Sequence, residues 1–532
     1  MPPPQPLPPS SSRRTSSEAG ERRRAWLITA ALLTLAGAAW AFSTPLMSGA
    51  DESDHAIRAA AVVRGQPVGG ATRELLGHPN VFIEVEVPEA YSEARVVSTC
   101  FIDPPDDNPD QTFQRAGEKE CRSSMQGGFR TVTTTTLQYR GQPSYYAVVG
   151  LPTLIWPGAA GVTAMRVLSG AMTAALLAAA LLAARSLPGS PLLPIAVLAG
   201  ATPVCLWLSG QVNSGGFEIA AALLLWSSAV VLVRAEVPTG RMVTGVGLSF
   251  TLLTICRGLS PAYGLGVLAV VALVSDRARL RSLARRRDVR IWGSVGAVAT
   301  LASVAWLAFI QLRYPLDARP GTGVASALGS WDWYLRQAVG VFGVNEIVLP
   351  LPAVMAWGAV VAVIVAVGLA SASGRDRAVV GLFAVGAFAL NVTAEGLSFP
   401  PIGYYWQGRY VLPLLVGVAV LAAGARPSGG RQASRALRIL HLRTLGVVLV
   451  VVQVWAFAFV GRYYAGRGRG DLGFLDAWRD PVWSPPLLPA WAWTVLYALA
   501  IGGTAALALG SRHPERTSVA GKPLAVASSS SP

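Results

Sequence analysis

The chain has 532 residues, 52% of them hydrophobic and 14% charged, against roughly 25% charged in an ordinary soluble domain, which excludes a soluble globular protein. Its net charge of +15 comes from 44 Lys plus Arg against 29 Asp plus Glu, with Lys only at Lys119 and Lys522. In a chain of long apolar runs that balance sets membrane orientation and excludes nucleic acid as the partner.

Residues 1–24 are rich in Pro, Ser and Arg and read as a disordered cytoplasmic tail. The run over 25–47 outlasts the apolar region of a signal peptide and reads as an uncleaved first transmembrane helix. Residues 48–158 form the one soluble stretch long enough to fold, an extracytoplasmic loop domain. Within it Val81–Val87 (VFIEVEV) alternates with the period of a strand, and Thr131–Tyr139 is Thr-rich in the same manner. Cys100 and Cys121 both lie in this loop and are expected to pair in an oxidising compartment, two free thiols being the alternative. Cys205 and Cys256 fall within spans as small apolar residues, and no Cys/His metal spacing occurs.

Residues 159–510 form a multi-span bundle with apolar runs near 159–184, 192–209, 215–234, 241–256, 260–275, 291–312, 350–371, 378–398, 410–424, 444–461 and 489–510, ahead of a second disordered cytoplasmic tail over 511–532. The expected fold is an all-α polytopic membrane protein of about 12 transmembrane helices, each near the ~20 residues that cross a bilayer, with a small β-containing first loop. With the N-terminus inside, the loop 276–290 (seven Arg) and the loop 425–443 (five Arg) fall on the cytoplasmic side, as does the C-terminus. The loop 461–488, with four Arg and three Asp, falls on the other side.

Polar clusters gather at the opposite, outer face. Asp51, Glu52, Ser53, Asp54 and His55 place three acids and a His directly after the first span, candidates for a catalytic base or for hard ligands to a divalent cation such as Mg or Mn. A helix cap accounts for one of these acids. Ser209–Glu218 (SGQVNSGGFE) carries Gln211 and Asn213 in a turn and sends Glu218 into an apolar helix, where an acid is functional by default. Arg257 interrupts two short runs, either snorkelling to water or facing an anion. Tyr405, Gln407, Arg409 and Tyr410 precede the tenth run, and Arg409 has the planar fork that grips phosphate. Arg462, Tyr463, Tyr464 and Arg467 repeat that theme on the next outer loop. Together they suggest an anionic ligand at the outer leaflet.

In four pieces the sequence resembles the DUF2142 family of bacterial membrane proteins, which belongs with the GT-C glycosyltransferase superfamily: Pro45–Arg58 (PLMSGADESDHAIR), Gln142–Tyr146 (QPSYY), Ser209–Glu218 and Gln407–Pro413 (QGRYVLP). The resemblance covers about residues 26–510. It implies a GT-C-like fold in the bacterial inner membrane and transfer of sugar from a polyprenyl-phosphate donor to a glycan or lipid acceptor of the cell envelope. Asp51, Glu52 or Asp54 would act as base, and His55, Gln211, Asn213, Glu218, Arg257, Tyr405, Gln407, Arg409, Tyr410 and Arg462 would bind substrate. A transporter or flippase, or a non-catalytic assembly partner for lipid-linked saccharides, is the competing class.

Overall fold

The computed structural model describes residues 11–74, 81–100, 125–314, 323–398, 406–426, 435–466, 479, 481 and 483–510. It opens with α1 (Ser11–Ser43), which begins ahead of the expected Ala25. No proline occurs between Pro9 and Pro45 to stop a helix there. The loop domain follows as α2 (Glu52–Val62), β1 (Thr72–Glu74), β2 (Val81–Pro88), α3 (Ala94–Thr99), β3 (Thr131–Thr136) and α4 (Pro143–Val149). The three strands form an antiparallel sheet in the order β1-β2-β3, with Ile83 opposite both Thr72 and Thr136. Alternation along β2 buries Val85 and Val87 and leaves Glu86 exposed. Ile83 and Tyr139 close on Ile310 and Tyr314, so the sheet rests on the bundle.

The bundle comprises α5 (Ala159–Arg185), α6 (Leu192–Gly200), α7 (Pro203–Ser209), α8 (Ser214–Arg234), α9 (Gly240–Thr254), α10 (Ser260–Leu273), α11 (Arg277–Ala284), α12 (Arg287–Arg313), α13 (Val324–Gly329), α14 (Trp331–Gly340), α15 (Leu351–Ala370), α16 (Gly374–Ser398), α17 (Leu412–Ala423), α18 (Arg435–Gly466) and α19 (Ala490–Leu509). Among the described residues eight helices are long and apolar enough to cross a membrane, and α6 with α7 adds a ninth candidate bent by 59°. Three more of the anticipated runs are the short helices α9, α10 and α17, of 15, 14 and 12 residues. At 1.5 Å per residue each spans roughly 18–23 Å, less than the ~30 Å of hydrocarbon. All twelve apolar runs are therefore helical, and nine of them have the length of a full span.

Helix α8 is apolar all round and every residue from Ser214 to Val233 is buried, which makes it the axis of the bundle. Where α6 breaks from α7, freed carbonyls need donors, since lipid offers none. Trp357 Nε1 donates to Ala199 O (3.1 Å) and Gln453 Nε2 to Ala201 O (2.8 Å), while Tyr497 Oη donates to Gln453 Oε1 (2.7 Å). At the end of the bundle away from the loop domain, Arg234 ties four helix ends together. It donates to Asp376 (2.7 Å), Gly424 O (3.1 Å) and Val274 O (3.0 Å).

Candidate functional site

The acid run after α1 separates into three unlike environments. Asp51 stands at the N-cap of α2 with φ 54° and ψ 19°, and its side chain makes no capping hydrogen bond. The cap anticipated for it is therefore absent, while the left-handed backbone costs about 1 kcal/mol for a residue with a Cβ. Its side chain is 49% exposed and lies 4.0 Å from Arg409 Nη2.

Glu52, one residue on, is fully buried. Arg166 of α5 grips it through Nε (2.6 Å) and Nη2, and spends its remaining N–H groups on Ala41 O, Thr44 O and Pro45 O. Val212 N adds a bond to Glu52 Oε1 (3.0 Å). All five guanidinium donors are satisfied, and the pair joins α1, α2, α5 and the turn before α8. Sequence reasoning passed over Arg166, although it is the only charged residue between Ala159 and Ala184 and an intramembrane charge is a recognised signal.

Asp54 faces the sheet. It accepts from Arg95 Nη2 (2.6 Å) and Leu137 N (2.7 Å). Burial raises its carboxyl above the usual range against the pull of Arg95 and the Leu137 amide. His55 pairs through Nδ1 with Tyr146 Oη (2.6 Å). Burial holds the imidazole well below its ordinary value, and the guanidinium groups of Arg257 and Arg409 push it further down. Arg58, one turn on, is also buried. It reaches Gly141 O (3.3 Å), while its Nε and Nη1 have no hydrogen-bond partner, and burial lowers it to about 10.

Arg409 is 7% exposed and sits in a 3-10 turn (Gly408–Tyr410) immediately before α17. That turn is held from behind. Gly408 N donates to Gln337 Oε1 (2.8 Å), and a Cβ at Gly408 would meet Tyr334 O at 1.9 Å, so only glycine fits there. Trp406 N donates to the buried Glu395, and Trp406 Nε1 to Asn391 Oδ1 (2.7 Å). The Tyr410 ring lies between two cations, 5.6 Å from Arg409 Cζ and 5.0 Å from Arg257 Cζ.

Arg257 closes the other side. It occupies the break between α9 and α10 and donates to Glu218 Oε2 (3.2 Å), while Ser260 Oγ donates to Glu218 Oε1 (2.6 Å). Gln142 Nε2 donates to Arg257 O (3.4 Å) and Ser144 Oγ to Ile255 O, so α4 braces that break. Asn213 caps α8 through Gly215 N (2.8 Å) and donates to Ala50 O (2.9 Å) beside Asp51. Gln211 is fully buried with neither amide atom partnered among the described residues.

The four sequence pieces thus meet at the loop-domain end of the bundle. Asp51, Arg257, Arg409 and Tyr410 form the shared cluster, and Glu218, Asn213 and Gln142 support it. Arg462 is half-buried in the last turns of α18, where neighbouring Tyr464 donates to Ser48 O (3.5 Å). Gln407 is half-buried with Oε1 unpartnered. Tyr404, Tyr405, Arg467 and Cys121 lie outside the described residues. Cys100 is disulfide-bonded, and Cys205 and Cys256 are free and buried.

Chemically, the cluster sets a half-exposed carboxylate against two guanidinium groups, which suits a base beside a bound anion. The donor set does not fit a divalent cation, because Asp51, Glu52 and Asp54 point to three different arginines. Among the described residues no group of three or more His, Cys, Asp or Glu side chains is placed to hold a metal.

A family model described as "Predicted membrane protein (DUF2142)" matches residues 33–418. Among solved structures, the chain is similar to ArnT from Cupriavidus metallidurans bound to undecaprenyl phosphate, at 12% identity and TM-score 0.43, covering 91% of this chain and 76% of that one. It is also similar to apo ArnT from the same organism, at 12% identity and TM-score 0.35, covering 70% of this chain and 66% of that one. No curated protein matches the sequence.

Proposed function

The chain belongs to the DUF2142 family of membrane proteins, and from that premise we propose that it is a GT-C-type glycosyltransferase. It takes sugar from a polyprenyl-phosphate donor and passes it to a glycan or lipid acceptor of the cell envelope, with the loop domain outside the cell membrane and both termini in the cytoplasm. The observation that carries this reading is the meeting of Asp51 with Arg409 and Arg257, residues more than 200 positions apart, at one half-open place. A helix cap, an interfacial aromatic belt and snorkelling would each explain one residue, and none of them requires the residues to meet.

In the mechanism, Arg409 and Arg257 hold the donor phosphate and stabilise the charge that grows on it as the anomeric C–O bond breaks. Asp51 accepts the proton of the acceptor hydroxyl, whose oxygen forms the new glycosidic bond. Polyprenyl phosphate leaves with the electron pair of the broken bond. Glu52 and Asp54 are left to architecture, since each carboxylate is already engaged by an arginine and by backbone amides.

The test is sugar transfer in proteoliposomes from a panel of polyprenyl-phosphate donors, comparing the wild-type protein with Asp51→Asn and Arg409→Gln. Transfer by the wild type that falls at least 100-fold in Asp51→Asn, the usual scale for a general base, supports the proposal. Undiminished transfer by Asp51→Asn overturns it.

A further inference from the structure

The function proposed above leaves the most basic stretch of the chain unused. Residues 276–290 carry seven Arg against two Asp, a local balance of +5. Membrane orientation requires only that such charge be present, and makes no demand on its shape. Here it has a shape. Arg286, Arg287, Asp288 and Ile291 line a shallow open depression of about 420 Å³ at the start of α12.

Both local acids are occupied. Asp288 is gripped by Arg286 at 3.0 and 2.7 Å, and Asp276 by Arg426. Arg286 is fixed further by Pro238 O (2.7 Å). Arg287 and Arg290, one turn apart on α12, are exposed. No acceptor among the described residues neutralises either, and they stand where the helix N-terminus adds partial positive charge.

Directly beyond the depression the same helix turns apolar and outward. Ile291 is 52% exposed, and Val295, Val298 and Leu301 continue an exposed stripe along α12. Cationic hollow and apolar stripe therefore adjoin on one helix, the order of headgroup and acyl chain in a lipid.

We propose that the Arg286–Ile291 depression binds the phosphate headgroup of an anionic phospholipid, with the acyl chains lying along the Ile291–Leu301 face of α12. Arg287 and Arg290 supply the charge that selects an anionic over a zwitterionic headgroup, and Arg286, locked by Asp288, shapes the hollow.

The experiment uses the full-length protein, delipidated in detergent and titrated with phosphatidylglycerol or phosphatidylcholine. Native mass spectrometry counts the bound lipids, and excess inorganic phosphate is the competitor. Phosphatidylglycerol should bind well over tenfold more tightly than phosphatidylcholine, and the double variant Arg287→Gln with Arg290→Gln should weaken it by about thirtyfold, the usual increment of two arginines near an anionic surface. Neither side chain has a partner to lose, so the melting temperature should not move. Equal binding of the two lipids, or no effect of the double variant, overturns the proposal. Displacement by inorganic phosphate at comparable concentration also overturns it, because the ligand would then be a soluble anion and not a lipid.

Discussion

Two arginine–carboxylate pairs begin one residue apart and differ in almost everything else. Glu52 and Arg166 have no solvent exposure, and every donor of the guanidinium has an acceptor. Asp51 and Arg409 touch only at 4.0 Å, with Asp51 49% exposed. A saturated buried pair has no capacity left for a ligand, and its role is to join elements. A loose pair at a mouth keeps both its base and its donors available. Availability, and not the mere presence of charge, separates architecture from site along this acid run.

The largest effect should come from breaking the saturated pair. Glu52→Gln leaves Arg166 buried with its charge uncompensated, which costs about 3–5 kcal/mol. Thermal unfolding in detergent should show a large loss, along with poor recovery from membranes. The double variant Glu52→Leu with Arg166→Met should regain much of it, because removing both charges removes the uncompensated one. A Glu52→Gln protein of normal stability would contradict the division drawn here.

Asp51 should give the opposite pattern. Asp51→Asn should leave unfolding within about 0.5 kcal/mol of the wild type, as expected where no buried partner is lost, while sugar transfer collapses. Asp51→Gly sharpens the contrast further. Glycine accepts φ 54° without its Cβ penalty, so this variant should be about 0.5–1 kcal/mol more stable and still inactive. An Asp51→Gly protein that is less stable than the wild type would show that the carboxylate contributes to the fold after all.

A smaller effect appears in the dependence on pH. His55 stays neutral when folded, whereas the unfolded chain takes up its proton near pH 6.5. The unfolded state then binds more protons, so His55 makes stability fall as pH drops below about 6.5. Asp54 works the other way. Its folded value is raised from 3.8, so its contribution is present at lower pH and is lost as pH rises through that folded value. His55→Asn should remove the acid-side loss between about pH 6.5 and 5. If melting temperatures of the variant and the wild type fall in parallel over that range, His55 is not the group responsible.

Much of this was legible in the sequence, and the reasons for the rest are physical. Apolar run length is a local property, so all twelve runs were read correctly as helices, and the alternation of Val81–Val87 gave β2. Depth in a membrane is a tertiary property, and α9, α10 and α17 turned out shorter than a full span because a helix buried against neighbours need not reach both surfaces. The candidate residues Asp51, Arg257 and Arg409 were found by their chemistry at apolar boundaries. What no local signal could supply was the division of labour among Asp51, Glu52 and Asp54, since it depends on Arg409, Arg166 and Arg95, which arrive from three different elements. Gln337 and Glu395, which hold the turn carrying Arg409 from behind, were equally invisible because their partners are backbone amides far along the chain.

The smallest effect tests whether geometry or burial sets the worth of a pair. Arg130 holds Glu89 with the same fork that Arg166 uses on Glu52, Nε to one carboxylate oxygen (3.0 Å) and Nη2 to the other. Their side chains, however, are 72% and 37% exposed, against zero for the buried pair. Water already solvates both charges there, so losing the contact strands nothing, and added salt screens what attraction remains. Arg130→Gln should therefore leave the melting temperature of the full-length protein unchanged, at low ionic strength as well as high. Should it lower that temperature as far as Glu52→Gln does, fork geometry and not desolvation would be the source of stability, and the same argument would have to be reopened for Arg166.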